Sequence, residues 1–441
     1  MISITQEQAM GDLPVEELAA AAGAFMEPLL DELPDKRLRA VGILMILGIL
    51  AGQSPLITQM ARGMRDGSGY VLSMARRFYR FIWNKRFSQD SLQAGLYAIG
   101  QGVVARYTSE DLVVAIDPVN FEKPYTQTLE GVSTIYKSTP PPLTGRGRLT
   151  RGYPALTACV VNLPEPAVTY ASWFSYGLDF VSQNAELQAA ATTTRQLYPH
   201  HNLCFVGDSG LDDQKYFRHL VGLDSTFIIR VGHDNRLVDV YNERLNRWER
   251  EKLADLIVTM PPFLKLEAPF THARQTRTTR LRLGWLKIRL PDWETPLWLL
   301  AIHDPHLNLD FGLLTNRPIV NAAHAEWVLT TWRYRPQIEH TYRLDQEAGL
   351  DVEDMRVHTL EHMRRVFLLL LVAAAFLYHL NQTWQPDTLH WLRSVGGKLG
   401  TLSDLDGFYL LLAGISAVLV TAATLTFVRS NPFPRPKGTC G

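Results

Sequence analysis

Residues 111–117, DLVVAID, are five consecutive apolar side chains between two aspartates. A short apolar run rich in β-branched residues is typical of a strand that is buried on both faces of a sheet. Residues 202–208, NLCFVGD, repeat the pattern and end in Asp208. A buried carboxylate costs several kcal/mol unless it is paired or bound to a metal. We therefore expect the two strands to be neighbours, with Asp117 and Asp208 facing one crevice at their carboxyl ends.

The segments around these two runs complete an α/β pattern. Residues 153–163 and 167–177 are strand-like and are separated by PEP, which predicts a meander. Residues 183–197 and 211–223 have helical spacing, and residues 225–231, STFIIRV, form another short apolar run. The predicted order is β-β-β-α-β-α-β, which indicates a mixed sheet covered by helices.

The rest of the chain divides by its periodicity. TRLRLGWLKIRL, residues 279–290, places basic and apolar side chains on opposite faces of a strand, whereas Glu326–Gly349 and Thr359–Asn381 have helical spacing. Residues 138–152, STPPPLTGRGRLTRG, predict a flexible basic loop. The expected division, in chain order, is a helical region (1–105), the first part of the α/β core (106–232), a β-rich insertion (233–318), the second part of the core with two helices (319–382) and a helical C-terminal segment (383–441).

Bulk composition excludes some classes of protein. The 441 residues carry 44 basic and 44 acidic side chains, so no global field points to a nucleic-acid partner. Three cysteines without paired spacing argue against a disulfide framework or a Cys-based zinc site and suit the cytoplasm. The polar, acidic N-terminus is not a signal peptide.

One C-terminal segment raises the question of a membrane. Phe408–Val428 has no charged residue and is long enough to cross a bilayer. Its Gly, Ser and Thr content makes it only moderately apolar, so we expect a helix buried in a core or a subunit interface. Val366–Tyr378 is shorter and predicts a buried helix.

The charge is unevenly distributed. Asp35–Asp90 holds ten Lys or Arg against three acids, and Thr271–Leu290 holds six basic residues and no acid. In residues 72–87, LSMARRFYRFIWNKRF, basic and aromatic side chains interleave. Such a helix can neutralise DNA phosphates, or its aromatic side chains can face the core while its arginines face water. The basic residues concerned are Arg76, Arg77, Arg80, Lys85 and Arg86.

The two strand-end aspartates suggest a metal site. With a third carboxylate from a covering helix, they would bind hard divalent cations such as Mg²⁺. Two such ions about 4 Å apart activate water or a 3′-hydroxyl and stabilise the leaving oxygen of a phosphodiester. Taken singly, each aspartate also fits a turn. Asp212 and Asp213 could support a second metal but fit a helix cap better, and His303 with His306 fits a turn better than a metal pair.

Residues 332–346, WRYRPQIEHTYRLDQ, supply a candidate for the third carboxylate. Glu339 lies four residues from both Arg335 and Arg343, so the three side chains share a face if the segment is one helix. Pro336 biases Arg335 away from helical geometry, so we expect the helix to kink or to begin anew at Pro336. Glu339 would then lie near a helix start, where a negative charge is favoured.

These residues resemble DDE transposases of the bacterial insertion-sequence, cut-and-paste type, whose catalytic domain is ribonuclease H-like. The resemblance extends from about residue 33 to residue 381 and is most specific at the family's Y-x2-R-x3-E-x6-K signature. Arg335 and Glu339 match this signature, whereas Trp332 replaces its tyrosine and Gln346 replaces its lysine.

The resemblance implies a ribonuclease H-like mixed sheet, interrupted by the β-rich insertion and flanked by helical N- and C-terminal regions. It also implies that two Mg²⁺ ions, for which Mn²⁺ can substitute, are held by a catalytic triad of Asp117, Asp208 and Glu339.

The resemblance further implies contacts to DNA. The family's lysine contacts DNA phosphate, but Gln346 brings no charge, so Arg335 or Arg343 would take more of this role. Trp332 keeps an aromatic ring that could stack on a flipped base. The basic helix at 76–86 and the strands at 272–289 are expected to bind the ends of the element.

The expected function is that of a DNA transposase, which cleaves at the ends of a transposon and transfers the freed 3′-hydroxyl to target DNA. The expected partners are the double-stranded terminal inverted repeats, target DNA and a second copy of the chain on DNA. No membrane is expected, and the location would be the cytoplasm, at the nucleoid. The alternatives are a ribonuclease H-like nuclease without strand transfer, a catalytically inactive DNA-binding derivative, and a membrane protein anchored by residues 408–428.

Overall fold

The computed structural model describes residues 13–64, 71–124, 126, 128–137, 147–242, 245–272, 275–338, 350, 352–397 and 404–430. Its helices are α1 Val15–Phe25, α2 Glu27–Asp31, α3 Lys36–Gly52, α4 Ile57–Gly63, α5 Val71–Ile82, α6 Gln89–Tyr107, α7 Gln183–Leu197, α8 Gln214–Gly222, α9 Leu253–Thr259, α10 Ala322–Trp332, α11 Leu360–Thr383, α12 Pro386–Val395 and α13 Asp404–Ser430. Its strands are β1 Asp111–Glu122, β2 Ser133–Lys137, β3 Arg148–Val160, β4 Ala167–Trp173, β5 Asn202–Gly207, β6 Thr226–Arg230, β7 Leu237–Asn242, β8 Arg247–Lys252, β9 Leu264–His272, β10 Gln275–Arg289, β11 Leu297–Asp304 and β12 Leu309–Thr315.

The fold is mixed α/β and is organised by one large mixed sheet. The strand order is β2-β3-β1-β5-β6-β12-β11-β10-β7-β8, with β4 paired to β3 and β9 paired to β10. β5 runs parallel to both β1 and β6, whereas β3 is antiparallel to β1 and β12 is antiparallel to β6. The strands of the predicted β-rich insertion, β7 to β12, therefore extend the same sheet.

β1 and β5 lie at the centre of the sheet because their side chains are buried on both faces. Val113 and Ala115 belong to one hydrophobic core, and Leu112, Val114 and Ile116 belong to the other. On β5, Cys204 and Val206 contribute to the first core while Leu203 and Phe205 contribute to the second. This double burial confirms the interpretation of the two apolar runs as central strands.

The first core is the one that positions the site. It is formed by one face of the sheet, the N-terminal helices α1 to α6, helix α10 and the apolar helix α11. The second core is covered by α7 and α8, whose N-terminal residues are capped by Ser182 and Asp213. The sheet is thus covered by helices on both faces.

The C-terminal helix packs on the N-terminal ones. α13 packs against α12, α3 and α4, and the Ser416 hydroxyl donates a hydrogen bond of 2.7 Å to the Ala51 carbonyl oxygen. By length and composition, Leu360–Thr383 and Gly407–Ser430 could each cross a membrane, as could the bent pair α3 and α4 taken together. In the most apolar part of Leu360–Thr383, 78% of the residues are buried inside the protein, which confirms the buried helix expected at 366–378. In the most apolar part of Gly407–Ser430, 39% are buried.

Four details differ from the sequence predictions. Strand β1 does not end at Asp117 but continues to Glu122, because β3 continues to pair with it. Strand β2, Ser133–Lys137, was not predicted, since only Ile135 of its five side chains is buried. Residues 148–152, predicted to belong to the 138–152 loop, form the start of β3, and residues 138–146 lie outside the described residues.

The fourth difference concerns the helix predicted over Glu326–Gly349. It starts earlier, at Ala322, and stops at Trp332; residues 333–335 form a turn, and residues 336–338 are helical again. The restart at Pro336 is the interruption expected from the proline. The predicted division into domains is not decided by these boundaries and stays a prediction.

Candidate metal centre

Asp117 and Asp208 occupy equivalent positions on neighbouring parallel strands. The last parallel pair of β1 and β5 is Ala115 with Val206, and each aspartate follows two residues later. Side chains two residues apart in a strand point to the same face. Asp117 therefore lies on the face that carries Ala115, and Asp208, the residue directly after β5, approaches it closely enough for both to contact one guanidinium group.

The local backbone orients Asp208. Strand β5 ends at Gly207, and Asp208 begins a short 3-10 turn, Ser209–Leu211. One carboxylate oxygen of Asp208 accepts a hydrogen bond of 2.8 Å from the Gly210 amide. This bond uses Oδ1, and Oδ2 contacts Arg335. The Asp208 side chain is 38% exposed, whereas that of Asp117, held between β3 and β5, is 16% exposed.

Arg335 connects the two aspartates. Its Nη2 atom lies 3.4 Å from Asp117 Oδ1 and 3.3 Å from Asp208 Oδ2, and its side chain is 16% exposed. Two carboxylates facing each other repel unless a cation lies between them. The guanidinium group of Arg335 supplies that positive charge.

Trp332 holds the segment that carries Arg335. The Trp332 indole nitrogen donates a hydrogen bond of 3.0 Å to the carbonyl oxygen of Gly207, and its ring packs on Phe311 at 5.7 Å between centroids. Helix α10 ends at this residue, and the turn at 333–335 then directs Arg335 toward the aspartates. Trp332 thus has an intramolecular role; stacking on a flipped base stays a prediction.

The third predicted carboxylate falls outside the described residues. Ile338, fully buried, is the last described residue before it, and Glu339, Arg343 and Gln346 all lie outside the described residues. Among the described residues, no three His, Cys, Asp or Glu side chains form a group that could hold a metal ion. The described part of the site is therefore the pair Asp117 and Asp208 with Arg335.

The other candidate ligands have structural roles. Asp213 caps helix α8 by accepting from the amides of Lys215 and Tyr216, as expected of a cap. Asp212 is buried and forms an ion pair of 2.7 Å with Arg236. His306 lies in the predicted turn, residues 305–308, but His303 belongs to strand β11, and its Nδ1 lies 2.9 Å from Oδ1 of Asp310, its partner on β12.

The basic residues of the 72–87 segment are at the surface. Arg76, Arg77, Arg80 and Lys85 are exposed, and the exposed side chain of Arg86 pairs with Asp35. The aromatic residues divide between core and surface: Phe78 and Phe81 are buried, whereas Trp83 is 52% exposed.

Strand β10 shows the predicted separation of basic and apolar side chains only in its first part. Leu281 and Leu283 are buried in the first core while Arg280 and Arg282, on the opposite face, are exposed; further along, Ile288 lies on the face of the two arginines and is buried in the second core. DNA binding by these two basic surfaces stays a prediction.

The sequence analysis missed the structural roles of two sets of residues near the start of α11. Arg365 is buried at the start of α11, and the Arg356–His362 stretch lines a surface cavity beside Trp83. The basic residues of RVHTLEHMRR (356–365) distinguish the start of α11 from its apolar remainder, but the sequence analysis considered only the apolar part.

No protein-family model matches this chain, and no curated protein matches its sequence. Among solved structures, the chain is similar to a protein in a cryo-EM structure of a piggyBac transposase synaptic complex with hairpin DNA. The sequence identity is 10%, the TM-score is 0.42, and the match covers 99% of this chain and 84% of the other.

Proposed function

We propose that the chain is a DDE-type DNA transposase that cleaves DNA at the ends of a mobile element and joins the freed 3′-hydroxyl to target DNA. The observation that carries the proposal is the convergence of three residues from distant parts of the chain. Asp117 and Asp208 end up side by side on parallel strands, and Arg335, from the stretch with the family's signature, contacts both.

The arrangement of the central strands supports a ribonuclease H-like core. β1, β3 and β4 form an antiparallel meander, α7 leads to β5, and α8 leads to β6. This is the predicted element order with the edge strand β2 added, and β5 and β6 are parallel to β1 and to each other. The short helical segment 336–338 then leads directly to Glu339, which we propose as the third acid of the triad.

The residues present fit a divalent cation. Carboxylate oxygens are the ligands that Mg²⁺ prefers, and the contact of Arg335 with both aspartates shows that a positive charge is accommodated between them. Asp117 and Asp208 would hold the ions, two Mg²⁺ in our proposal, with Mn²⁺ able to substitute and Glu339 as a further ligand. When bound, such ions activate water or a 3′-hydroxyl and stabilise the leaving oxygen.

The chain's own residues would bind and orient the DNA. Arg335 is the cationic side chain nearest to the two aspartates among the residues that the structure describes, and it would donate to a phosphate oxygen at the cleaved bond. Arg343 and Gln346 would extend this contact. The exposed arginines of α5 and β10 would bind the backbone of the terminal repeats. We further propose that two copies act together on DNA, in the cytoplasm at the nucleoid.

Cleavage assays test the proposal. The substrate is linear duplex DNA that carries the sequences flanking this reading frame, incubated with Mg²⁺ or Mn²⁺. Asp117→Asn and Asp208→Asn should each lower cleavage by on the order of 100-fold or more and weaken Mn²⁺ binding measured by calorimetry. Asp213→Asn is the matched control, because asparagine caps a helix as well as aspartate does, and it should leave both readouts unchanged.

The products separate the alternatives. Joined donor–target molecules identify a transposase, whereas nicks without joined products identify a ribonuclease H-like nuclease. DNA binding without cleavage in either metal identifies an inactive derivative. Equal cleavage by wild type and both aspartate variants would refute the proposed site.

A further inference from the structure

A surface cavity of about 250 Å³ lies where helix α5 meets the start of helix α11. Tyr79 and Trp83 line it from α5 and from the residue beyond its end, and Arg356, His358 and His362 line it from the other side. A second cavity of about 500 Å³ adjoins it and shares Arg356 and His358. The first of these, the Trp83 cavity, plays no part in the metal centre.

Three aromatic rings are set side by side in the Trp83 cavity. The Trp83 ring centroid lies 5.2 Å from that of Tyr79 and 5.7 Å from that of His362. The Trp83 side chain is nevertheless 52% exposed. An indole that packs against two tilted neighbouring rings while half of its surface faces solvent offers a flat apolar platform, and stacking on such a platform is how proteins bind bases without regard to sequence.

The platform is held rigidly by a buried arginine. Arg365 donates hydrogen bonds to the backbone carbonyl of Ile82 (2.9 Å), an open acceptor at the end of α5, and to those of Asn84 (2.7 Å) and Phe87 (3.1 Å) in the segment that follows. Its side chain is 4% exposed. Since Arg365 belongs to α11, these bonds fix Trp83 relative to His362, and little conformational entropy remains to be lost when a ligand binds.

Positive charge flanks the platform. Arg76, Tyr79, Arg80 and Trp83 follow the i, i+3, i+4, i+7 spacing, so they share one face of α5. In the described part of the chain, no carboxylate lies within ion-pair distance of Arg76, Arg80 or Arg356, and all three are exposed. These cations are therefore available to phosphate groups on both sides of the aromatic cluster.

The charge of the His362 ring agrees with a stacking role. Burial lowers the pKa of His362 below its usual value, so the ring is neutral at pH 7. A neutral ring next to the indole keeps the cavity suited to an uncharged base, while the guanidinium groups lie at its margin.

We propose that the Trp83 cavity binds unpaired bases of a single DNA strand, with Trp83 as the stacking platform and Arg80 and Arg356 on the flanking phosphates. The proposal rests on the proposed function, since a transposase handles DNA ends. It differs from backbone binding by α5, because that requires only the arginines and no exposed indole.

The test compares two labelled DNAs, a 12-nucleotide single strand and a blunt duplex of the same sequence. Binding to the full-length protein is measured by fluorescence anisotropy at fixed salt. Trp83→Ala should weaken binding of the single strand by about 5- to 150-fold and leave duplex binding within about twofold. Trp83→Phe should retain most of the single-strand affinity. Trp391→Ala is the matched control, because Trp391 is another exposed tryptophan, far along the sequence on α12.

A second readout reports stacking directly. A 2-aminopurine base in the single strand should lose fluorescence on binding to wild type and regain it with Trp83→Ala. Equal single-strand binding by wild type and Trp83→Ala, with loss only in Arg76→Ala or Arg80→Ala, would overturn the proposal in favour of backbone contacts alone. Duplex binding without single-strand binding would overturn it while leaving the proposed function standing. Absence of binding to either DNA would count against both.

Discussion

The indole nitrogen of Trp332 donates a hydrogen bond of 3.0 Å to the carbonyl oxygen of Gly207, the last residue of β5. The bond joins the end of helix α10 to the strand that delivers Asp208, and Arg335 follows three residues later. The geometry between Arg335 and the two aspartates therefore depends on a tryptophan at the position where the transposase signature has tyrosine.

Replacing Trp332 by phenylalanine removes this bond and keeps an aromatic ring. We expect the free energy of unfolding, measured in urea, to fall by about 1 kcal/mol, because the Gly207 carbonyl loses its side-chain donor. Mn²⁺ binding should weaken as well, since Asp208 is the next residue. Trp391→Phe, at an exposed site, serves as the control. An unchanged urea midpoint and unchanged Mn²⁺ affinity would show that the bond does not position the site.

Arg335→Met should reveal competition between the guanidinium group and metal. Without Arg335 the two aspartates repel at pH 7, so the metal-free variant should lose roughly 1–3 kcal/mol of stability. The rise in melting temperature on adding Mn²⁺ should then be larger than in wild type, because the ion no longer displaces a bound cation. Arg289→Met, which removes one of two arginines from Asp239, is the control. Identical Mn²⁺ responses in Arg335→Met and wild type would exclude the competition.

The buried Glu165 should make the fold sensitive to acid. Burial by itself raises the pKa of Glu165, but hydrogen bonds from His379 and Tyr107 and the ion pair with Arg106 outweigh burial and leave the pKa below its usual value. Because the pKa of Glu165 is lower in the folded than in the unfolded protein, Glu165 stabilises the fold fully at pH values above its unfolded-state pKa. This stabilisation is lost as the pH falls through its folded-state pKa.

Glu165→Gln should therefore destabilise the protein by about 1–3 kcal/mol at pH 7 and by much less at pH 3. Unfolding curves of both proteins at the two pH values measure the difference. A destabilisation that is the same at pH 7 and pH 3 would mean that the charge of Glu165 does not matter.

Arg365→Leu tests the hydrogen bonds that connect the start of α11 to the end of α5 and the residues after it. The substitution leaves three backbone carbonyls without their donor and removes a contact of 4.9 Å with the Phe87 ring, so we expect a loss of about 3–5 kcal/mol. Arg76→Met, at an exposed position of α5, should leave the free energy of unfolding unchanged. Similar losses in the two variants, measured in urea, would refute the structural role of Arg365.

Periodicity and composition predicted which strands and helices form the site more accurately than they predicted where these strands and helices begin and end. The run before Asp117 was correctly identified as a central strand, yet the strand continues to Glu122, because the pairing with β3 outlasts the pairing with β5. The interruption at Pro336 was predicted from the ring's local constraint. Strand β2 was missed, since a five-residue edge strand with one buried side chain has almost no periodic signal.

Local patterns in the chain sufficed for the two apolar strands, the helices that cover them and the restart at Pro336, because burial on both faces and the restrictions of proline act within a few residues. The contact of Arg335 with both aspartates, the bond from Trp332 to Gly207 and the placement of Trp83 beside His362 could come only from the folded chain. Each joins residues that are more than a hundred positions apart, and their approach results from the packing of α10 and α11 on the sheet rather than from any local preference.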